Sequence, residues 1–358
     1  MDDGLPILTC QEMWDNYRAT PLVELPVLAR NTGVGRVFVK DEGKRPLGNF
    51  KALGGMVASL RALARASGAA TLELLSGRSN GRALPRLLCA SEGNHGLAVA
   101  AAAQRTRTAA SVYLPVGASE TRAGRIRAMG GDVLWVEGTY DDAVLAAAKA
   151  AEQGEGLLIP DTSADAGDPI VRDVLDGYAL LTDELVAQFR DRKSVWPSHV
   201  FVQAGVGGLA AAMARGLRDI MQGPRALIVV EPAGAACVAL ALAQGRPERI
   251  AGDLRTCAEM LSCGLASAPA VEILRRFNAK SVLVTEEELE GAPIRLRAAG
   301  GPETTPSGAA GLAGFLQVAA HSSGTMEVGL DASSVVLFVA TEGSLNRRLQ
   351  EIPAATSL

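Results

Sequence analysis

The sequence predicts an α/β protein whose mostly parallel sheets are flanked by helices. Three observations lead there. Short β-branched runs alternate with Ala-rich helical stretches, a rhythm that produces parallel strands joined by crossover helices. Apolar residues make up 48% of the chain and aromatics only 4%, the balance of a helix-rich α/β protein rather than a β-sandwich. The 358 residues exceed the roughly 250–300 that one hydrophobic core supports, so two domains are expected.

The elements follow in order. Val37-Phe38-Val39-Lys40 is the first clear β-run, and Phe50 to Ala64 carries apolar residues at helical spacing. Gly68 to Arg86, rich in Gly, Ser and Arg, reads as a loop or an interrupted element. Strands are expected at Leu87–Ala90, Ser111–Leu114, Asp132–Val136 and Leu157–Ile159, separated by helices at Leu97–Gln104, Glu120–Met129 and Asp141–Glu152. A helix around Ile170–Phe189 leads to strand Val200–Gln203, helix Leu209–Met221 and strand Ala226–Val230; the last strand is Val335–Ala340. In such folds, binding sites lie beyond the carboxyl ends of the strands.

Composition removes several function classes. A net charge of −4 lacks the basic footprint of a nucleic-acid binder. No apolar run reaches the 18 or more residues of a membrane span, and Met1-Asp2-Asp3-Gly4 has no apolar stretch behind it to act as a secretory signal. Cytoplasm is the expected location. Five scattered cysteines without CxxC spacing favour neither a disulfide framework nor a zinc site, and three distant histidines give a metal site or a His-based triad little to work with.

Three loops stand out, each joining a β-run to an Ala-rich helix, where free backbone N–H groups and the positive dipole end favour anions. In Gly48-Asn49-Phe50-Lys51-Ala52-Leu53-Gly54-Gly55 a lysine stands in the first helical turn. A cation is disfavoured there, so the side chain is easier to hold as a neutral amine or in covalent linkage. In Ser91-Glu92-Gly93-Asn94-His95-Gly96 small and amide residues offer a cradle for a carboxylate. In Gln203-Ala204-Gly205-Val206-Gly207-Gly208-Leu209 the glycines allow a phosphate to approach the backbone. Each has an ordinary reading when taken alone: a solvated lysine, an N-cap at Ser91, and a packing or dinucleotide-binding turn.

Taken together in this order, the three loops resemble the fold-type-II pyridoxal-phosphate enzymes, the tryptophan-synthase-β superfamily. Thr20-Pro21-Leu22-Val23, Val39-Lys40-Asp41-Glu42 and Thr341-Glu342-Gly343 resemble further stations of that family. Within it the chain is most similar to the diaminopropionate ammonia-lyases, through Asp161-Thr162, Gly177-Tyr178-Ala179-Leu180-Leu181-Thr182-Asp183-Glu184, Leu261-Ser262-Cys263-Gly264 and Ser307-Gly308-Ala309-Ala310-Gly311. It departs from them at Glu92, where an aspartate is usual, and across Glu259–Ala266 and Thr304–Gly308, segments that line the substrate side.

The resemblance implies a two-domain fold, with a larger cofactor-binding domain (1–55 and 156–358) and a smaller one (56–155). It implies pyridoxal 5′-phosphate carried by Lys51, with Asn94, Gly205, Val206, Gly207, Gly208 and Thr341 as its other ligands. The expected reaction is β-elimination of ammonia from 2,3-diaminopropionate or a related β-substituted amino acid, giving pyruvate or another 2-keto acid and ammonia. Lys51, Glu92 and Asp161 are the candidate acid–base residues, because departing ammonia needs an acid as well as a base. Ser91, Gly93, Asn94, His95, Cys263 and Ser307 are candidate substrate contacts. Ordinary alternatives stand beside these roles: Glu92 as a first-turn carboxylate, Asp161 as a strand-end cap, Cys263 as an inert buried thiol. A small-molecule amino-acid substrate and a homodimer are also implied, with no nucleic acid, membrane or metal. The alternatives in function are a β-replacement synthase and a pyridoxal-phosphate fold that binds without turnover.

Overall fold

The computed structural model describes residues 8–15, 17–77, 83–91, 93–192 and 195–344. Among these described residues ten strands form two sheets: β1 (Leu22–Glu24), β2 (Arg36–Asp41), β3 (Leu87–Ala90), β4 (Ala110–Pro115), β5 (Asp132–Val136), β6 (Leu157–Leu158), β7 (His199–Gln203), β8 (Ala226–Pro232), β9 (Lys280–Val284) and β10 (Val335–Ala340). The larger sheet runs β1-β2-β10-β7-β8-β9 and the smaller β5-β4-β3-β6. Every pairing is parallel except that of β1 with β2.

Parallel strands covered on both faces read as unbroken apolar runs. β10, Val-Val-Leu-Phe-Val-Ala, is buried throughout and lies in the middle of the larger sheet, between β2 and β7. The last described strand therefore pairs with the second. β6 belongs to the smaller sheet, pairing with β3, and helix Lys51–Ser67 runs unbroken through residue 55.

That helix explains the two glycines behind Lys51. A Cβ on Gly54 would stand 2.5 Å from the Tyr178 ring, and one on Gly177 would stand 2.7 Å from the Gly54 Cα. On the other side a Cβ on Gly55 would meet Ala98 at 2.6 Å. Helices Pro169–Asp191 and Asn94–Thr106 thus close on the lysine helix from both sides, where only hydrogen fits. Just upstream, the turn leading to Lys51 is fixed by buried ions. Arg45 pairs with Glu42 at 2.7 Å and with Glu184, and Lys40 pairs with Glu184 at 2.7 Å. Burial pushes the Glu184 carboxyl up, but Arg45 and Lys40 outweigh it and hold the group near 2.

Candidate active site

Four strand ends converge on one cavity. From the larger sheet, β7 delivers Gln203 and the loop 204–208, and β10 delivers Thr341 and Glu342; from the smaller, β3 delivers Ser91, Asn94 and His95, and β6 delivers Asp161. Lys51, the first residue of its helix, completes the wall with Phe50, Tyr140 and Tyr178.

Lys51 Nζ donates to Asp161 Oδ2 at 2.5 Å, and the Tyr140 hydroxyl donates to Asp161 Oδ1 at 2.9 Å. Burial alone would neutralise both ions of the pair, but each holds the other charged. The Lys51 amine is raised above its ordinary range by Asp161 against the pull of burial. The Asp161 carboxyl is lowered by Lys51, with the hydrogen bond from Tyr140 adding to it. The neutral first-turn lysine expected from the dipole is therefore corrected: a carboxylate from the other sheet outweighs the dipole, and the unlinked side chain is an ammonium. Asp161 is not a strand-end cap, since both its oxygens serve side chains.

The glycine loop has the features of an anion cradle. Gly207 sits at φ +97°, open to glycine and strained for other residues. Among the described residues, none of the N–H groups of Gly205, Val206, Gly207 and Gly208 donates to a backbone carbonyl, and helix Gly208–Leu217 begins there. A Cβ on Gly205 would stand 3.0 Å from Cys263 Sγ, so a side chain there would have to push this wall back by a few tenths of an ångström. Four donors at a helix N-terminus suit a phosphate, and an amine lies across the same cavity. These residues fit pyridoxal phosphate.

In the asparagine loop, Ser91 Oγ accepts from Gly93 N–H (2.8 Å) and Gly96 N–H (2.9 Å), so its oxygen already stabilises the helix start. Gly93 is the N-cap itself, at φ +137°; a Cβ there would collide with Arg122 at 2.6 Å. His95 Nε2 donates to the Ile159 carbonyl at 2.8 Å, and burial lowers its pKa, which makes it a neutral packing residue. Thr341 Oγ accepts from Gln203 Nε2 at 3.1 Å, leaving its own proton to donate. Cys263 lines the cavity with Met260 and Leu261. Ser307 stands behind this wall, its Oγ accepting from Met260 N–H at 3.1 Å. Glu92 lies outside the described residues.

Sequence reasoning missed Tyr140 and Glu342 as cavity residues. Tyr140 opens helix Tyr140–Glu152 and carries no local signal, because its partner Asp161 lies beyond a whole helix and strand. Glu342 was visible within Thr341-Glu342-Gly343, but its buried pairing with Asn94 spans most of the chain.

Two parallel sheets, with a lysine and a glycine cradle facing across their carboxyl ends, define a fold-type-II pyridoxal-phosphate enzyme. The family described as pyridoxal-phosphate dependent enzymes matches residues 13–341, and the chain belongs to it. Diaminopropionate ammonia-lyase of Escherichia coli K12 is 33% identical over 343 residues, covering 91% of this chain and 85% of the relative. The Salmonella typhimurium LT2 enzyme of the same name is 31% identical, covering 97% and 91%. The E. coli crystal structure in complex with an aminoacrylate-PLP azomethine reaction intermediate superposes with a TM-score of 0.80 at 29% identity, covering 95% of this chain and 91% of that one. Among the described residues no helix is long and apolar enough to cross a membrane, and no group of three His, Cys, Asp or Glu is placed to hold a metal.

Proposed function

We propose that the protein eliminates ammonia from 2,3-diaminopropionate, or a related β-substituted amino acid, to give a 2-keto acid (pyruvate) and ammonia. The observation that carries this reading is the Lys51–Asp161 pair facing the Gly205–Gly208 loop across one cavity. In it, Lys51 carries the cofactor, the loop N–H groups hold its phosphate, and Asn94 and Thr341 meet its ring. When bound, the cofactor supplies an electron sink for negative charge at the substrate's Cα.

The chain's own groups move the protons. Asp161 is held ionised and therefore accepts a proton from Cα, while Tyr140 keeps its second oxygen oriented. Lys51, freed as a neutral amine once substrate takes its place, would take that proton from Asp161 beside it and pass it to the departing amine. Glu92, on a different loop, is the second base: Asp161 serves the L enantiomer and Glu92 the D. Ser91, Gly93, Asn94, His95, Cys263 and Ser307 form or back the substrate side. The division into domains 1–55 with 156–358 and 56–155, boundaries approximate, and a homodimer, both resting on the sequence resemblance, belong to the same proposal, as does a cytoplasmic location.

One observation favours a second reading, β-replacement. Met260, Leu261 and Cys263 line the cavity within a segment that departs from the lyase pattern. The test is release of ammonia and keto acid from each enantiomer of 2,3-diaminopropionate without an added nucleophile. Product that appears only with a nucleophile selects replacement; no product with either enantiomer removes both enzymatic readings and leaves the silent binding fold.

A further inference from the structure

Glu342 is 3% exposed and holds three parts of the site together. Its Oε2 accepts from Asn94 Nδ2 at 2.5 Å and its Oε1 accepts from Thr305 Oγ at 2.6 Å. Its backbone bridges to Asn49, two residues before Lys51, and its carbonyl accepts from Thr304 Oγ at 2.5 Å. Asn94 belongs to the helix that follows the smaller sheet's β3, whereas Glu342 lies two residues beyond the end of β10 in the larger sheet. Side chains of both line the cavity.

A carboxylate only accepts hydrogen bonds, whereas an amide both donates and accepts. Glu342 therefore dictates that the nitrogen of Asn94, not its oxygen, turns toward β10. The Asn94 Oδ1 and the remaining N–H are then presented in one fixed orientation. We propose that Glu342 is a positioning residue that acts through Asn94, fixing the face its amide presents to cofactor and substrate and tying the two sheets together beside Lys51. This rests on the reading of the cavity as the pyridoxal-phosphate site.

Glutamine at 342 has the same shape but can meet Asn94 with either end of its amide, so packing survives and orientation is lost. The experiment is a double-mutant cycle in the full-length protein with Glu342→Gln, Asn94→Ala and both. The readouts are half-saturation by pyridoxal phosphate, followed by absorbance, and kcat/KM on 2,3-diaminopropionate. Each single variant is expected to weaken cofactor half-saturation about 10-fold and kcat/KM about 10- to 100-fold, and the double variant to be no worse than Asn94→Ala. Independent effects that multiply in the double variant would overturn the inference, as would a Glu342→Gln protein with unaltered cofactor binding. Absence of ammonia release by the unmodified protein would refute the proposed activity instead, and the cofactor titration would still decide the role of Glu342. Should Glu342→Gln alone fail to fold, Asn94→Asp combined with Glu342→Gln restores one donor and one acceptor with their roles exchanged. It is expected to recover the melting temperature without recovering cofactor affinity; recovery of both would overturn the positioning role.

Discussion

Replacing Asp161 by asparagine changes charge while nearly preserving shape, and the two contacts of the carboxylate determine the consequences. Asp161 Oδ2 faces an ammonium at 2.5 Å and Oδ1 a phenol at 2.9 Å. An asparagine must point its oxygen at Lys51, because its nitrogen cannot face another cation. Its nitrogen then donates to the Tyr140 hydroxyl, which turns from donor to acceptor. The contacts persist and the base disappears. A positioned general base contributes about 10²- to 10⁴-fold, or about 2.7–5.5 kcal/mol of barrier at 1.36 kcal/mol per tenfold. That loss is expected in kcat/KM for L-diaminopropionate, with the D form affected less than about 10-fold. Glu92→Gln should show the opposite pattern, against a D activity expected to be low because Glu92 is one methylene longer than the usual aspartate; a shift of about 1 Å can cost about 100-fold. The same Asp161 change removes the charge that raises Lys51, leaving burial to lower the amine. Cofactor uptake by the stripped protein should then extend to lower pH than in the unmodified chain. The assay is steady-state kinetics on both enantiomers, with cofactor rebinding monitored against pH. Equal losses on the two enantiomers, or an uptake profile that does not move, would refute the reasoning.

Three further outcomes are expected from the same structure. Tyr140→Phe removes one donor from Asp161, so its carboxyl should rise from its depressed value; the acid limb of kcat/KM should move to higher pH and the rate fall about 10-fold, comparable to one hydrogen bond to a charged group. An unmoved limb would separate Tyr140 from the base. Gly54→Ala puts a methyl 2.8 Å from the Val174 carbonyl, so overpacking should cost about 1–3 kcal/mol in denaturant unfolding and displace Lys51. Glu231, fully buried at the end of β8 and accepting from Val238 and Ala239 N–H at 2.7 Å each, is raised by burial to about 8 despite those two bonds. The folded state therefore holds a proton that the unfolded chain releases near 4.5, so stability declines as pH rises between those values. Glu231→Gln should flatten that slope in melting curves taken from pH 5 to 8.

The loops that build the site were legible because each couples a strand end to a helix start, and both signals are local. Leu87–Ala90 and Asp132–Val136 have the bounds that their apolar runs indicated. The helix after β3 begins at Asn94, three residues before the expected Leu97, because Ser91 supplies its cap from outside the helix. The stretch between β8 and β10 gave no such signal. Helix Glu286–Ala298 contains Pro293, and helix Pro306–Ala320 is a mostly buried Gly- and Ala-rich segment without an amphipathic period. β9 is a half-exposed edge strand. Strand order was also beyond local reading, since β10 reaches the centre of the larger sheet through long-range pairings with β2, across most of the chain, and with β7. For the same reason the resemblance could mark Lys51 and Asp161 as candidates, whereas their 2.5 Å pairing required the fold.

The central claim is that Lys51, opposite the glycine cradle and paired with Asp161, is the residue that carries pyridoxal phosphate. Borohydride reduction of the cofactor-loaded protein, with subsequent proteolysis and mass mapping, tests it directly. The reduced adduct is expected on the peptide containing Lys51, with loss of both adduct and turnover in Lys51→Ala. An adduct on any other lysine, or undiminished turnover in Lys51→Ala, would contradict it.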